Sequence, residues 1–324
     1  MAEIAVLIVN YDAGPLVVDA VESVLARAHD GHAVSVHLVD NASPSGDAAL
    51  LREAAQAGGW GDRVTLWLES KNHGFGRGNN MVLEALATRA SPPDYVFLLN
   101  PDAQLANEAI AILAAFLDAH PRAAVAGARA RNPDAAEPVA AAFRFPGFVS
   151  TFSSALSFGP VARRLEQYTV AFPPDIPTSR VDWVSGAAVL ARFEVWRDLG
   201  FFDPEFFLYY EEVDLMHRTA RAGWECWHVA EAEVIHVEGA STDVRSADAR
   251  KRRPAYWYHS WQHYFRKTHG RTYAMLSAGA WMAGAAMNVG IAWLRGRPPA
   301  SPRRFFRDFW TAGLRPLLRP GAGS

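Results

Sequence analysis

The sequence has very little cysteine, no excess of charge of either sign and no internal repeat. A single cysteine, Cys226, stands among 324 residues, which excludes an internal disulfide and a cysteine-built metal site and is typical of a reducing compartment. The net charge of −2 favours no class of charged partner. The first residues, MAEIAVLIVNY, contain no basic region or cleavage site of a secretory signal, so we expect a cytoplasmic protein.

The first hundred residues alternate short apolar runs with segments of helical periodicity. The runs IAVLIVN, VSVHLVD, VTLWLES and YVFLLN are separated by predicted helices near 16–27, 48–57 and 79–88. This alternation predicts an α/β fold with a parallel sheet covered by helices on both faces. We expect one domain over 1–240, whose two parts meet at about 103, and a helical basic segment over 241–324. The Pro-, Phe- and Ser-rich stretch 131–180 predicts a mobile loop or an acceptor-binding insertion.

Polar residues follow four of the predicted strands. They are Asn10, Tyr11 and Asp12 after the first, Asp40 and Asn41 after the second, the stretch 72–80 after the third, and Asn100, Pro101 and Asp102 after the fourth. Each alone is also typical of a helix cap or a turn. Because ligands of such sheets bind beyond the carboxyl ends of the strands, the four together predict a binding site at that edge.

Two of these segments suggest a phosphate or a metal. The stretch NHGFGRGNN, 72–80, offers glycines before a predicted helix, where backbone can approach a phosphate; a plain glycine-rich connector is the alternative. Asp102, in LLNPDA, is a candidate ligand of a divalent cation carried by a diphosphate. The alternative is a turn aspartate that follows Pro101. His236, after the run AEVI, is a candidate ligand of the same cation or a packed residue.

The segment FLYYEEVDLMHR places Glu211, Glu212 and Asp214 within four positions behind an aromatic run. Carboxylates in the first turn of a helix are favoured by the helix dipole, so a structural role is one interpretation. Adjacent carboxylates in a partly dry setting raise one another's pKa, and a raised pKa suits a general base. The residues alone leave open which of the three takes a proton.

The order of these motifs resembles the family 2 glycosyltransferases of the GT-A fold, and within them the rhamnosyltransferase-like enzymes of bacterial cell-surface polysaccharide synthesis. The series is VNY, VDNAS, NHGFGRGNN, LLNPDA, WVSGAAVLAR, FFLYYEEVDLMHRTARAGW and VIHVEGAS, within residues 3–270. The resemblance implies a mixed sheet flanked by helices, with a C-terminal helical extension, and a nucleotide-sugar donor. It also implies that 1–240 is a catalytic domain, with a nucleotide-binding half to about 103 and an acceptor half over 104–240.

The resemblance also implies roles for individual residues. The donor pocket would include Asn10, Tyr11, Asp40, Asn41, Asn72, Gly74, Phe75, Gly76, Asn80 and Asn100, and the acceptor would contact Trp183, Ser185 and Gly186. Asp102 and His236 would hold Mg²⁺ or Mn²⁺, with Asn100 in place of the first aspartate of the family's D-x-D motif. Glu212 matches the aspartate of the family's E-D pair and would be the base, with Glu211 and Asp214 as alternatives.

The resemblance implies an inverting transfer of a sugar, with L-rhamnose from dTDP-rhamnose expected, to a polysaccharide or polyprenyl-diphosphate-linked acceptor. Asp102 and Glu212 would then lie on opposite sides of the donor sugar in one pocket. UDP-GlcNAc, UDP-Gal or GDP-Man are alternative donors, and a nucleotidyltransferase or a non-catalytic glycan- or protein-binding domain are alternative functions. The chain lacks the Q-x-x-R-W signature of processive members, so we expect one transfer per encounter.

The C-terminal part contains a long uncharged stretch followed by a basic tail. The 22 residues 273–294 are enough to span a bilayer, and they precede Arg295, Arg297, Arg303, Arg304, Arg307, Arg315 and Arg319. A span would place these arginines outside, against the positive-inside tendency. We therefore expect a helix resting on the inner leaflet of the plasma membrane. The alternative is a helix packed on the catalytic domain or on a second copy in a homodimer.

The stretch 250–267, RKRRPAYWYHSWQHYFRK, alternates basic and aromatic residues. Neither a nucleic-acid recognition fold nor a basic domain accompanies it, so we expect no nucleic-acid partner.

Overall fold

A computed structural model describes residues 1–133, 138–237 and 250–319. The chain divides into two compact units. The sheet unit comprises Met1–Phe143, Ala171–Pro204 and Leu215–Val244, and the helical unit comprises Arg144–Val170, Glu205–Asp214 and Arg245–Ser324. The predicted domain boundary at residues 240 and 241 lies outside the described residues and stays a prediction.

The elements follow the predicted alternation in the first hundred residues and depart from it later. The strands are β1 Glu3–Asn10, β2 Ala33–Asp40, β3 Val64–Leu68, β4 Tyr95–Leu99, β5 Ala103–Leu105, β6 Ala123–Arg131, β7 Pro138–Val139, β8 Ala142–Phe143, β9 Ser179–Val181, β10 Trp183–Val184, β11 Ala188–Arg192 and β12 Glu225–His236. The helices are α1 Pro15–Leu25, α2 Asp47–Ala57, α3 Phe75–Ala87, α4 Ala109–Ala119, α5 Phe148–Leu156, α6 Gly159–Arg164, α7 Phe193–Asp198, α8 Glu211–Arg221, α9 Ala255–Leu294, α10 Phe305–Phe309 and α11 Arg315–Leu318. Short 3₁₀ turns cover His29–Gly31, Gly61–Arg63 and Glu166–Tyr168, and a π turn covers Trp310–Leu314.

The main sheet of the sheet unit is mixed, as predicted. Its strand order is β3-β2-β1-β4-β11-β6-β12-β5, with β7 beside β6 and β9 beside β12. Strands β3, β2, β1 and β4 are parallel, β11 runs antiparallel to both β4 and β6, and β12 is parallel to β6. A separate two-stranded sheet pairs β10 with β8. The carboxyl ends of the four parallel strands therefore lie along one edge.

Strand β1 explains why the predicted strands are continuously apolar. Ile4 and Ile8 pack into a buried cluster that includes residues of α1 and α4, whereas Leu7 and Val9 pack into a second cluster that includes residues of α3. Alternate side chains of one strand thus enter two cores on opposite faces of the sheet. A strand covered on both faces needs apolar residues at every position.

The helical unit is built on helix α9 and its partner α5. Gly284 permits their close approach, because a Cβ atom there would lie 2.7 Å from the carbonyl oxygen of Phe152. The Asn288 amide donates to the Leu156 carbonyl at 2.9 Å. Helix α9 has a break at Gly270, whose φ of 84° lies in the left-handed region. Of the two interpretations of 131–180, the loop is wrong for 148–164, where α5 and α6 lie, and the acceptor-binding insertion stays a prediction.

Helix α9 is the one helix of the described residues that is long and apolar enough to cross a bilayer, by length and composition alone. Beyond Gly270 one side of it is buried, through Ala274, Ala278, Ala285, Asn288 and Ala292. The other side exposes Met275, Leu276, Met287, Trp293 and Leu294, by between 36% and 80%. Packing against α5 therefore covers only one side of this half, and an apolar face remains exposed.

Candidate active site

The carboxyl ends of β1 and β2 are joined by a buried polar network. The Asn10 amide donates to Asp40 Oδ1 at 3.0 Å and to Asp47 Oδ2 at 3.0 Å, and the hydroxyl of Ser43 donates to Asp40 Oδ1 at 2.6 Å. Asn10 is fully buried and Asp40 is 2% exposed. Tyr11, the next residue after Asn10, is 38% exposed. The network therefore joins the loop after β1, which carries Tyr11, to the loop after β2.

Asp47 contributes a permanent charge to this network. Burial alone would raise its pKa, but hydrogen bonds from Ser45, Asn10 and the Gly14 backbone outweigh burial and lower the pKa below its ordinary value. The Asp47 carboxylate remains ionised while the loop after β1 is anchored to it through Gly14 at 3.0 Å. A charge that receives this many donors stabilises its surroundings.

The glycine-rich stretch folds over the end of β2 and begins α3. The Asn41 amide donates to Asn72 Oδ1 and to the Gly74 carbonyl, each at 3.1 Å, and the His73 backbone donates to Asn41 Oδ1 at 2.9 Å. A Cβ atom on Gly78 would lie 3.0 Å from Val9 Cγ1. A side chain at 78 would crowd Val9, so the glycine favours the close approach of α3 to β1. The amino end of α3 lies beside the polar edge of the sheet.

Two further predicted residues connect α3 to the loop after α7. The Asn80 amide donates to the Phe202 carbonyl at 2.8 Å and accepts from the Phe202 backbone at 3.0 Å. Phe75 packs edge-on against Phe202 with ring centroids 6.0 Å apart, and Gly186 lies beside the Phe75 ring. The predicted donor residue Phe75 and the predicted acceptor residue Gly186 are therefore close neighbours.

The loop between β10 and β11 reaches the end of β4. The Asn100 backbone donates to the Ala187 carbonyl at 2.9 Å, and the Ser185 backbone donates to the Ala141 carbonyl at 2.9 Å. Trp183 stacks on Phe143 with ring centroids 4.1 Å apart. Of the predicted acceptor residues, Ser185 and Gly186 thus lie beside Asn100, whereas Trp183 packs in the small β8 and β10 sheet.

Asp102 and His236 meet because β5 and β12 are paired. His236 lies opposite Ala103 in the register of the two strands, and its Nε2 lies 3.2 Å from Asp102 Oδ1. The Asn100 amide lies 3.3 Å from the same Nε2. Asp102 is 4% exposed and His236 8%. The structure therefore brings together the three side chains that the sequence connected with a metal.

The donor set of this cluster fits a cation that a substrate also binds. Within the described ranges no group of three or more His, Cys, Asp and Glu side chains could hold a metal ion. One carboxylate and one imidazole are too few for an all-protein cage. Mg²⁺ and similar cations typically take one or two protein carboxylates and complete their coordination with phosphate oxygens and water. Asp102 and His236 fit a cation of that kind.

In the helical unit, the backbone is strained immediately before the acidic cluster. Tyr209 and Tyr210 have φ values of 68° and 70°, in the left-handed region that bulky residues rarely adopt. Tyr210 packs against Trp257 and Tyr264, with centroids 5.8 and 5.4 Å away. Such strain persists only where surrounding contacts hold it, and it is concentrated at functional sites.

Glu211 and Glu212 carry carboxylate oxygens without hydrogen-bond partners. Oε2 of each has none among the described residues. Glu211 is 3% exposed, whereas Glu212 is partly exposed. Burial raises the pKa of Glu211 well above its ordinary value and the charge of Glu212 raises it further, and burial also raises the pKa of Glu212. The pair can therefore take up a proton at a higher pH than an ordinary carboxylate.

Asp214 differs from both glutamates because its charge is compensated. The Lys267 ammonium lies 2.8 Å from Asp214 Oδ2 and 5.9 Å from the centre of the Phe206 ring. The Ser260 hydroxyl donates to the Leu208 carbonyl at 2.9 Å. The first half of α9 thus holds the segment that leads into α8.

The sequence interpretation missed Tyr210, Ser260 and Lys267 as parts of this site. The signal was present in the spacing, because 257, 260, 261, 264 and 267 recur at intervals of one to three residues along one predicted helix. The prediction that Asp102 and Glu212 share a pocket concerns both units and stays a prediction.

Residues 2–260 match a family model described as "Glycosyltransferase like family 2". The N-acetylglucosaminyl-diphospho-decaprenol L-rhamnosyltransferase of Mycobacterium tuberculosis strain H37Rv is 32% identical over 220 residues, which are 64% of this chain and 68% of that protein. The rhamnosyltransferase WbbL of Escherichia coli strain K12 is 24% identical over 176 residues, 54% of this chain and 64% of that protein.

Solved structures of similar fold are also transferases. The mannosyltransferase PcManGT of Pyrobaculum calidifontis, in complex with GDP-Man and Mn²⁺, gives a TM-score of 0.55 at 16% identity, covering 92% of this chain and 77% of that one. GalNAc-T7 with UDP, GalNAc and Mn²⁺ gives 0.59 at 13% identity, covering 97% and 59%. At these identities the likeness concerns the fold alone, and it confirms the predicted GT-A architecture.

Proposed function

The chain belongs to the family 2 glycosyltransferases, and we propose that it transfers L-rhamnose from dTDP-rhamnose, with inversion, to a sugar on a polyprenyl diphosphate. One observation above all supports the transfer chemistry. The two glutamates at the start of α8 each have a buried Oε2 oxygen with no hydrogen-bond partner among the described residues. The choice of donor and acceptor is supported by the rhamnosyltransferase of M. tuberculosis, whose name specifies a diphospho-decaprenol acceptor.

Glu212 is the proposed base. It is partly exposed, whereas Glu211 is 3% exposed and Asp214 is paired with Lys267. Glu212 accepts the proton of the acceptor hydroxyl while that oxygen forms a bond to the anomeric carbon. The bond from that carbon to the diphosphate oxygen breaks, and the electron pair leaves with the nucleotide diphosphate. Attack from the side opposite the leaving group inverts the configuration.

The donor site is proposed at the carboxyl edge of the sheet. Tyr11 is exposed at the end of β1, and the amino end of α3 at Phe75 offers backbone N–H groups to a phosphate. Asp102 and His236 are the residues that would hold Mg²⁺ or Mn²⁺, which when bound offsets negative charge on a diphosphate. The Asn10 and Asp40 network positions the loop that carries Tyr11.

The exposed face of α9 is the proposed membrane contact. Leu276 and Trp293 are 63% and 80% exposed on a stretch without charges, and the arginine-rich tail follows it. Apolar side chains bordered by arginines suit the surface of an anionic leaflet. A peripheral enzyme at the inner face of the plasma membrane would meet a lipid-linked acceptor there.

The function is tested by a transfer assay on the full chain. We expect purified protein with Mn²⁺ to move rhamnose from dTDP-rhamnose to farnesyl-diphospho-N-acetylglucosamine, with an anomeric configuration opposite to that of the donor by NMR, and a chelator to abolish the transfer. UDP-GlcNAc, UDP-Gal and GDP-Man are the comparison donors. Transfer from one of these instead would overturn the rhamnosyl assignment, and pyrophosphate release would indicate a nucleotidyltransferase.

The membrane contact is tested by flotation with vesicles. We expect the chain to float with phosphatidylglycerol vesicles at low salt and less with phosphatidylcholine vesicles, because salt and neutral lipid weaken the arginine contribution. The variant Leu276→Ser with Trp293→Ser should reduce flotation, whereas Tyr168→Ser, which changes a 45% exposed ring outside α9, should not. Equal flotation of all three proteins would contradict the contact.

A further inference from the structure

The helical unit contains a cavity of about 260 Å³. Aromatic side chains, hydroxyl groups and one arginine line it together. The lining includes Ser154 from α5, Tyr210, and Arg253, Trp257 and Trp281 from α9 and the residues before it. No function in the preceding argument uses this space, although Tyr210 lies directly before Glu211 and Glu212.

Arg253 brings a positive charge to the cavity that no described carboxylate neutralises. Its guanidinium carbon lies 4.0 Å from the centre of the Trp257 ring, and the side chain is partly buried. The neighbouring Arg252 is different, because two of its three guanidinium nitrogens, Nε and Nη2, donate to Asp308 at 2.6 and 2.8 Å. A guanidinium held against a ring, with its edge free for a ligand, is suited to a phosphate group.

The cavity lies close to the proposed base within the same unit. Burial raises the pKa of the Tyr210 phenol, the charge of Arg253 lowers it and the charge of Glu212 raises it, so both charged groups are near that hydroxyl. An anion bound at Arg253 would therefore be a short distance from the carboxylate that takes the proton. An anionic group at this position therefore suits the acceptor, whose hydroxyl must reach the same carboxylate, and not a ligand that takes no part in the transfer.

The rest of the lining suits carbon-rich groups beside a phosphate. Trp257 and Trp281 lie edge to face with centroids 5.4 Å apart, and both border the cavity. Indole rings bury apolar carbon atoms over a large area. Ser154, an exposed residue, adds one hydroxyl group to the lining. A ligand with a diphosphate flanked by a sugar and an isoprenoid chain matches this combination.

We propose that this cavity binds the diphosphate of the lipid-linked acceptor, with Arg253 paired to the phosphate oxygens and the two indole rings packed against the adjoining carbon atoms. The inference rests on the proposed function for the class of acceptor. Arg253 would set the affinity for the acceptor and not for the nucleotide sugar. No proton or bond of the transfer passes through it.

The test uses the full chain and the probe farnesyl-diphospho-N-acetylglucosamine. Quenching of tryptophan fluorescence gives its Kd without any donor, and steady-state kinetics give separate KM values for acceptor and donor. Arg253→Met should raise the acceptor Kd and KM by ~10-fold or more, since hydrogen bonds to charged groups contribute about 1.5 to 3 kcal/mol. Arg266→Met, which removes an exposed arginine of the adjoining helix α9 outside the cavity, should leave both unchanged.

The outcomes separate this inference from the proposed function. Binding of the probe that Arg253→Met weakens, without rhamnosyl transfer, would support the cavity and contradict the rhamnosyl donor. Transfer with an unchanged acceptor Kd and KM in Arg253→Met would overturn the cavity and leave the proposed function standing. A raised donor KM with an unchanged acceptor Kd would also overturn it, because the bound anion would then be the nucleotide diphosphate.

Discussion

The polar residues at the carboxyl edge of the sheet and those at the start of α8 differ in how far their hydrogen bonds are used. At the sheet edge, the buried side chains of Asn10, Asp40 and Asn41 all bind one another or nearby backbone. At the start of α8, Glu211 and Glu212 each retain an oxygen without a partner among the described residues. Buried polar groups in folded proteins are nearly always paired, so an unpaired one calls for an explanation.

This difference indicates two different roles for the polar residues of the two regions. A satisfied network fixes backbone and contributes stability, because removing one member leaves the others buried and unpaired. An unsatisfied carboxylate costs stability and is retained where its charge or proton is used. Asn10 and its partners therefore hold loops in position, and the unpaired oxygens of the two glutamates support the proposal that this pair takes part in the transfer. Substitutions in the two regions should separate into effects on unfolding and effects on rate.

The largest expected effect is on the rate. Glu212→Gln removes the proton acceptor while keeping the size of the side chain, and we expect transfer to fall by ~10²- to 10⁴-fold with donor affinity unchanged. Glu84→Gln, an exposed glutamate on α3, serves as the control. Transfer rates and donor titration calorimetry measure the two quantities. If the Glu212→Gln variant were active, Glu212 would not be the base, and Glu211 would be the next candidate.

The next effect is on donor affinity in the presence of a metal. Asp102→Ala removes the carboxylate beside His236, and we expect donor binding with Mn²⁺ to weaken by ~10-fold or more, since even residues that only support metal ligands contribute that much. Donor binding without metal should change little. Asp175→Ala, at an exposed aspartate of the same unit, is the matched control. Calorimetry showing equal Mn²⁺-dependent affinity would contradict the metal role.

A smaller effect, on stability and not on chemistry, is expected at the sheet edge. Asn10→Ala removes one hydrogen-bond donor from each of the buried carboxylates of Asp40 and Asp47. We expect the free energy of unfolding to fall by ~1 to 3 kcal/mol. Urea denaturation of Asn10→Ala and of Gln167→Ala, an exposed amide, measures the difference. Stability equal to that of the parent protein would mean that the network is not a scaffold.

The smallest effect is expected from Glu211→Gln, and it has the opposite sign. Burial raises the pKa of Glu211 in the folded chain, so the unfolded chain loses this proton first as the pH rises. Stability therefore falls as the pH rises above the ordinary carboxylate pKa, and it stays reduced above the raised pKa. At pH 7.5 the variant should melt higher by ~2 °C, and below the ordinary carboxylate pKa the two proteins should melt alike. Thermal melts at pH 7.5 and pH 4 test this. A lower melting point at pH 7.5 would show that the Glu211 charge is stabilised in the fold.

The first half of the sheet unit could be predicted because each local pattern agrees with the fold. Strand β1 lies between two cores, so its run of apolar residues was unambiguous. The start of α3 was predicted four residues late, at Asn79 and not Phe75, because glycines usually mark a loop. Here Gly78 lies inside the helix, where its missing side chain admits Val9.

The helical unit could not be predicted to the same extent because its contacts join distant parts of the chain. Helix α5 was expected to be a loop, since FVSTFSSAL contains many serines and is stabilised by packing on α9. Lys267 is 53 residues from Asp214, and no local pattern connects them. The acidic cluster itself was found because three carboxylates behind aromatic residues are unusual. The coordinates were needed to show that Glu211 and Glu212 each have an oxygen without a partner, whereas Asp214 is paired with Lys267.

Gly270 divides helix α9 into two halves that make different contacts. Before it, Ser260 and Lys267 support the acidic segment; after it, the helix exposes Leu276 and Trp293. A φ of 84° disfavours any residue other than glycine at 270. For protein engineering, the exposed apolar residues beyond Gly270 can be exchanged for polar ones without changing the half of α9 that contacts the acidic segment.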